Sequence, residues 1–167
     1  PGPSRLPSRL PSRGPSRRPS RTPSRTPQAM KAALRQGVPS AEVFFQMLET
    51  APYEIIYADA DLVIRYMNAA AKETMRAVEA HLPIPVDAME GTCIDAFHRE
   101  PAHQRAILAD SSRLPHQATI TVGDEVLEFV VHEVADADGA RLGLMVTLEV
   151  VTERHREERQ ARERLEN

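Results

Sequence analysis

Three consecutive stretches in the second half of the chain alternate apolar and polar side chains, and they limit the possible folds more than any other feature. Ala118, Ile120 and Val122 alternate with Gln117, Thr119 and Thr121. Leu127, Phe129 and Val131 alternate after the turn pair Gly123-Asp124, and Leu142, Leu144, Val146 and Leu148 after Asp136-Ala-Asp-Gly139. A period of two places every second side chain on one face, so each stretch predicts a strand buried on one side. Turns this short join antiparallel neighbours. The inward sets Ala118/Ile120/Val122, Leu127/Phe129/Val131 and Leu144/Val146/Leu148 therefore form one apolar sheet face that other elements must cover.

The upstream half supplies those elements. Ser40 is a predicted helix N-cap with Glu42 in the first turn, and Val43, Phe44, Met47 and Leu48 recur at helical spacing until Ala51-Pro52. Tyr53 to Tyr57 and Leu62 to Met67 are β-rich runs joined by Asp59-Ala-Asp61, a hairpin signal. Asn68 caps a predicted helix over Ala69–Val78. Pro83 and Pro85 open a loop, and Pro101 suits the first position of a helix running to about Leu108. From Thr152 the chain reads as a charged helix with i,i+4 pairs Arg154–Glu158 and Arg159–Glu163. The fold class is thus α+β: a five-stranded antiparallel sheet with short helices on one face.

The N-terminus is of another kind. The tetrad Pro-Ser-Arg-x recurs from Pro3 to Pro23, which excludes helix and sheet ladders and offers nothing to bury. Residues 1–36 hold nine basic side chains and no acid, so this part is +9 and the rest −12 within a net charge of −3. We read residues 1–27 as a disordered basic tail, 28–39 as a linker with a short helix over Gln28–Arg35, 40–151 as one compact domain and 152–167 as a C-terminal helix. The tail is either a solvated linker or a binder of an anionic partner; its serines beside arginines could be phosphorylated. The single cysteine, Cys93, excludes an intramolecular disulfide, which fits a reducing, cytoplasmic setting. No apolar run reaches the roughly 20 residues a membrane-spanning helix needs.

The element order, with its residues, resembles the PAS superfamily. Asp59-Ala-Asp-Leu-Val-Ile-Arg-Tyr-Met-Asn-Ala-Ala-Ala71 is similar to that family's hairpin, second strand and following helix start. Ile94-Asp-Ala-Phe-His-Arg-Glu-Pro-Ala-His-Gln-Arg-Ala-Ile-Leu108, Leu114-Pro-His-Gln-Ala118 and Glu149-Val-Val-Thr-Glu153 resemble the haem-binding PAS domains of bacterial soluble, aerotaxis-type chemoreceptors. The resemblance spans about Ser40 to Arg154. It implies b-type haem as cofactor and His98, the histidine after Phe97, as iron ligand. It also implies a sensor of a diatomic gas or redox state that relays its signal through the terminal helix, in a homodimer coupled to a downstream signalling domain or protein. Two departures stand out. The chain has no tryptophan, and Leu148 occupies the position where those relatives carry one as hydrogen-bond donor to oxygen. Their Asp-Ile-Thr junction is replaced by Val150-Val151-Thr152 after Glu149.

The residues themselves leave other roles open. A histidine is more often structural than ligating, and His103, inside the helix begun by Pro101, could pack or face solvent. His81, His116, His132 and His155 read as exposed. Cys93 reads as a small buried residue; with His98 it is too few ligands for zinc. The apolar set Ile107, Leu108, Phe129, Val131, Leu144, Val146 and Leu148 is either plain core or the wall of a dry haem slot. Asp59, Asp61, Asp136 and Asp138 fall at turns, and no catalytic motif is present, so catalytic residues are not expected. The alternatives to a haem sensor are a cofactor-free PAS module for dimerisation or docking, and a localisation scaffold acting through the tail.

Overall fold

A computed structural model describes residues 37–166; the tail and the short helix expected at Gln28–Arg35 lie outside the described residues. Helix α1 spans Ala41–Glu49, with the Ser40 hydroxyl accepting from the Val43 N–H at 3.3 Å. Strands β1 (Glu54–Asp59) and β2 (Ile64–Met67) form the hairpin. Asp59 makes the turn, its Oδ1 accepting from the Asp61 and Val63 N–H groups, both at 3.0 Å. Helix α2 covers Ala69–Ala77, followed by single 3₁₀ turns at Glu79–His81, Val86–Ala88 and Ile94–Phe97. Helix α3 runs Pro101–Ala109 with proline in its first turn, and a further 3₁₀ turn spans Ser111–Arg113. Strands β3 (His116–Val122), β4 (Glu125–Ala135) and β5 (Arg141–Val150) precede helix α4 (Thr152–Glu166).

The five antiparallel strands are ordered β2-β1-β5-β4-β3. The last strand in sequence is therefore central, paired to β1 from Glu54↔Leu148 to Asp59↔Gly143 and to β4 along most of its length. The inner face carries the main core, in which Ile56, Ile64, Met67, Met75, Leu127 and Leu148 are buried together under α2. A smaller cluster of Leu62, Leu108 and Leu144 lies under α3.

Three expectations need correction. Ile120 alternates as predicted but is 44% exposed, because it stands on edge strand β3. Leu142 is 50% exposed, near the β4 irregularity at Val134/Ala135. Arg154 does not pair along its helix; it reaches back to Glu128 of β4 at 3.1 Å, whereas the Arg159–Glu163 pair forms at 3.8 Å.

Asn68 is the main polar element of the core. It is fully buried. Its Oδ1 accepts from the N–H groups of Ile55 and Ala71, both at 3.0 Å. Its Nδ2 donates to the carbonyls of Leu48, at 3.0 Å, and Tyr53, at 2.7 Å. All four hydrogen-bonding positions of the amide are thus filled, and one side chain joins α1, β1 and α2. Tyr66 adds a second tie by donating to Glu49 at 2.8 Å; desolvation, then Glu49, pushes its phenol pKa upward.

Candidate ligand site under helix α3

The two halves of the inner face are covered unequally. Under α2 the apolar residues are fully buried. Toward α3, Phe129, Val131 and Val146 in mid-sheet are only half-buried, as are Phe97 and Ile94 opposite them. Helix α3 buries a single side chain, Leu108. It is held instead by polar contacts. Arg141 of β5 donates to the Leu108 carbonyl, to Ser111 Oγ at 3.1 Å and to Glu133 at 3.0 Å. Hydrogen bonds from Arg141 and Ser111 keep the Glu133 carboxyl below its ordinary pKa.

The predicted wall residues fall into two adjoining groups on this face. Leu148, Phe129 and Val146 pack with the main core; Leu108, Leu144 and Val131 share the smaller cluster. Ile107 is half-buried and belongs to neither. Leu62, beneath α3, has φ of 63°, a costly backbone for a branched side chain. That conformation directs it onto Leu108 and Leu144, and its carbonyl accepts from the Ile94 N–H at 2.9 Å.

His98 follows the 3₁₀ turn Ile94–Phe97 in extended conformation and is half-buried. Its Nδ1 lies 2.8 Å from the Ile94 carbonyl. A carbonyl can only accept, so Nδ1 carries the proton and the Nε2 lone pair of the neutral ring is free for a ligand. Metal-ligating imidazoles are commonly oriented through the other nitrogen in the same way. The donor set and the incompletely covered apolar face fit a haem held by one axial histidine. His103 is exposed on α3, as are His81 and His155. His116 and His132 are half-buried, contrary to expectation, and His116 pairs with Val131 across β3–β4. Cys93 is also half-buried rather than fully enclosed. Among the described residues no three His, Cys, Asp or Glu side chains converge on a metal position.

Sequence reasoning missed the polar frame around His98. Arg105 of α3 donates through Nε to both oxygens of Asp95, at 3.0 and 2.9 Å, and through Nη2 to Cys93 Sγ at 3.3 Å. This guanidinium keeps the Asp95 carboxyl below its ordinary pKa. No periodicity signals a pair ten residues apart on different elements. The exit junction was likewise hidden. Thr152 is buried, accepts from the Val126 N–H at 2.9 Å and donates to Glu125, so the carboxylate missing before Thr152 is supplied from β4.

A PAS-fold family model, PAS_4, matches residues 48–156, and the chain belongs to the PAS family. Over 118 residues it is 34% identical to the methyl-accepting chemotaxis protein McpB of Pseudomonas aeruginosa; that stretch is 68% of this chain and 17% of McpB. The chain thus spans about a sixth of that relative's length. The Aer2 receptor of Vibrio cholerae, described as a dual PAS-heme oxygen sensor, is similar in structure, with a TM-score of 0.55 and 28% identity over 60% of this chain and 95% of that one. An RNA-binding light-oxygen-voltage receptor shares the fold, with a TM-score of 0.54 and 15% identity over 87% of this chain and 40% of that one. The similarity to McpB and Aer2 agrees with the resemblance to aerotaxis-type receptors read from Phe97-His98 and the following helix. Among the described residues no helix is long and apolar enough to cross a membrane.

Proposed function

We propose that this chain is a non-enzymatic, cytoplasmic sensor domain that binds b-type haem through His98 and reports a diatomic gas or a redox change to its terminal helix. The observation that carries this reading is the His98 ring, held at Nδ1 by the Ile94 carbonyl with Nε2 free, directly after Phe97, which packs against the sheet face that α3 leaves half-covered. The likeness to Aer2 supports it. Haem supplies the reversible gas-binding or redox centre. The chain's own residues do the rest. Phe129, Val131, Leu144, Val146 and Leu148 keep the slot apolar, and Ile107 and Leu108 close it from the helix side. Strand β5 lies under the slot and leads directly into Thr152, whose hydroxyl secures the start of α4 to Glu125 and Val126. A ligand preferring one arrangement of β5 would shift the population of helix positions.

Titration of the haem-free protein with haemin tests the ligation. A Soret band of one-to-one stoichiometry is expected in wild type and in His103→Ala, with loss of the band or a changed axial spectrum in His98→Ala. Equal loading of both variants would remove His98 from the role.

A wild type that takes up no haem would leave the cofactor-free module, and one observation favours a second copy as its partner. Val43, Phe44, Phe45, Met47 and Leu48 on α1 are all 39–57% exposed. The α1 face continues onto the outer sheet through the Phe45–Tyr66 ring contact at 5.6 Å. So much apolar surface on one short helix is characteristic of an interface, and symmetric pairing would cover it on both copies.

Leu148 bears on selectivity. It is buried and offers no hydrogen-bond donor. In Leu148→Trp the indole N–H could donate to a polar ligand, and hydrogen bonds to charged acceptors are the stronger kind. We expect slower oxygen dissociation from the haem-loaded variant by stopped flow and little change for carbon monoxide. Unchanged kinetics, with stability lowered by the roughly 1–3 kcal/mol of overpacking, would make Leu148 plain core.

A further inference from the structure

We infer that Arg105 is a positioning residue for His98, a role that rests on the ligation proposed above. His98 is attached to its turn by two local bonds, Nδ1 to the Ile94 carbonyl at 2.8 Å and its own N–H to the Asp95 carbonyl at 3.2 Å. The direction of the ring is therefore set by the placement of the turn Ile94–Phe97. Apolar packing fixes that turn only loosely, since none of its residues is fully buried. The facing helix α3 contributes only Leu108 to the core.

Arg105 bridges the gap. Its Nε and Nη2 both reach the Asp95 carboxylate, the latter at 2.8 Å, and Nη2 also meets Cys93 Sγ at the N-terminal edge of the turn. A guanidinium fork on a carboxylate fixes orientation as well as distance. Asp95 then transmits the placement, because its side chain takes the arginine and its carbonyl takes the His98 N–H. The pair is too exposed, at 47% and 33%, to count for much in global stability. Its effect is geometric, like that of the outer partners that orient metal-binding histidines, whose loss typically weakens metal affinity about 10- to 100-fold.

The test compares Arg105→Ala, Arg105→Lys and wild type in two measurements. In haem-free protein, hydrogen exchange at the Ala96 and His98 amides is expected to accelerate about tenfold in Arg105→Ala, while the unfolding midpoint barely moves. In haem titrations, Arg105→Ala should bind about 10- to 100-fold more weakly with an altered axial spectrum. Arg105→Lys should recover only part of each, because an ammonium cannot fork. Unchanged exchange together with haem affinity within twofold of wild type would overturn the assignment, as would full recovery by lysine. If wild type takes up no haem but exchange still responds, the brace on the His98 turn stands and the haem reading fails.

Discussion

Asn68→Ala is expected to lower the unfolding free energy by about 3–5 kcal/mol, a large part of the roughly 5–15 kcal/mol that holds a typical domain together. The truncation leaves the Ile55 and Ala71 N–H groups without an acceptor and the Tyr53 carbonyl without a donor, and it leaves the Leu48 carbonyl with only the backbone N–H groups at the end of α1. Loss of the α2 cap alone is worth about 1 kcal/mol. The remainder comes from part-buried backbone groups stranded at the junction of three elements. Asn68→Asp separates the two contributions. A carboxylate still accepts from Ala71 and Ile55, yet it turns oxygen toward two carbonyls. Denaturant titration should therefore place the aspartate variant between wild type and alanine. A loss below about 1 kcal/mol in Asn68→Ala would mean that water replaces the amide and that the junction is not built on it.

The second large effect belongs to Gly143. It faces outward on the central strand, and the Tyr57 ring crosses it so that the phenol can donate to the Leu142 carbonyl at 2.8 Å. A Cβ at this position would press into the Ala58 carbonyl oxygen and stand 2.7 Å from Tyr57 Cε2 and 2.8 Å from the phenolic oxygen. The ring can swing away; the Ala58 backbone is held in the sheet and cannot. Gly143→Ala should cost about 3 kcal/mol, the upper part of the usual range for overpacking. Adding Tyr57→Ser should return only a minor share, since the clash with backbone remains. Thermal unfolding of the single and double variants decides the matter. Full rescue by the double variant would show that the ring, not the strand pairing, requires glycine here. Gly139 offers the contrast: nothing lies within 4 Å of its missing Cβ, and only its φ of 85° matters. Asparagine, which tolerates that region, should be accepted there at little loss.

These two residues mark how far the sequence could be read. Ser40 and Asn68 were legible as caps because small polar residues before helical runs have a local mechanism. The hairpin at Asp59 and the three alternating strands were legible for the same reason, since each signal lies within a few neighbouring residues. What Asn68 also does for Leu48 and Tyr53 joins residues 20 and 15 positions apart, and no local pattern encodes it. Alternation also gives only the side of the sheet on which a residue lies. Whether anything covers that side is tertiary, which is why Ile120 and Leu142 are exposed while Leu144 and Leu148 are buried. The helical spacing of Val43, Phe44, Met47 and Leu48 showed an apolar face but not that the domain itself leaves it uncovered. At the candidate site, the strand residues of the wall were legible from alternation, whereas His98 as a ligand came from a family resemblance. The protonated Nδ1, the Arg105 fork and the strained Leu62 are consequences of packing that a linear motif does not carry.

The pairing of Glu54 with Leu148 has a consequence for how such a unit works inside a longer polypeptide. The strand by which the chain enters the sheet and the strand by which it leaves are antiparallel neighbours, spaced about 4.8 Å apart as adjacent strands are. The C-terminal end of α1 and the N-terminal start of α4 therefore lie near the same end of the sheet. The two helices that lead into and out of such a unit are thus joined through one pair of neighbouring strands. With entry and exit tied together by the sheet, an event within the proposed site would reach the two helices as a change of angle rather than of distance, so a receiving element would have to respond to tilt or twist.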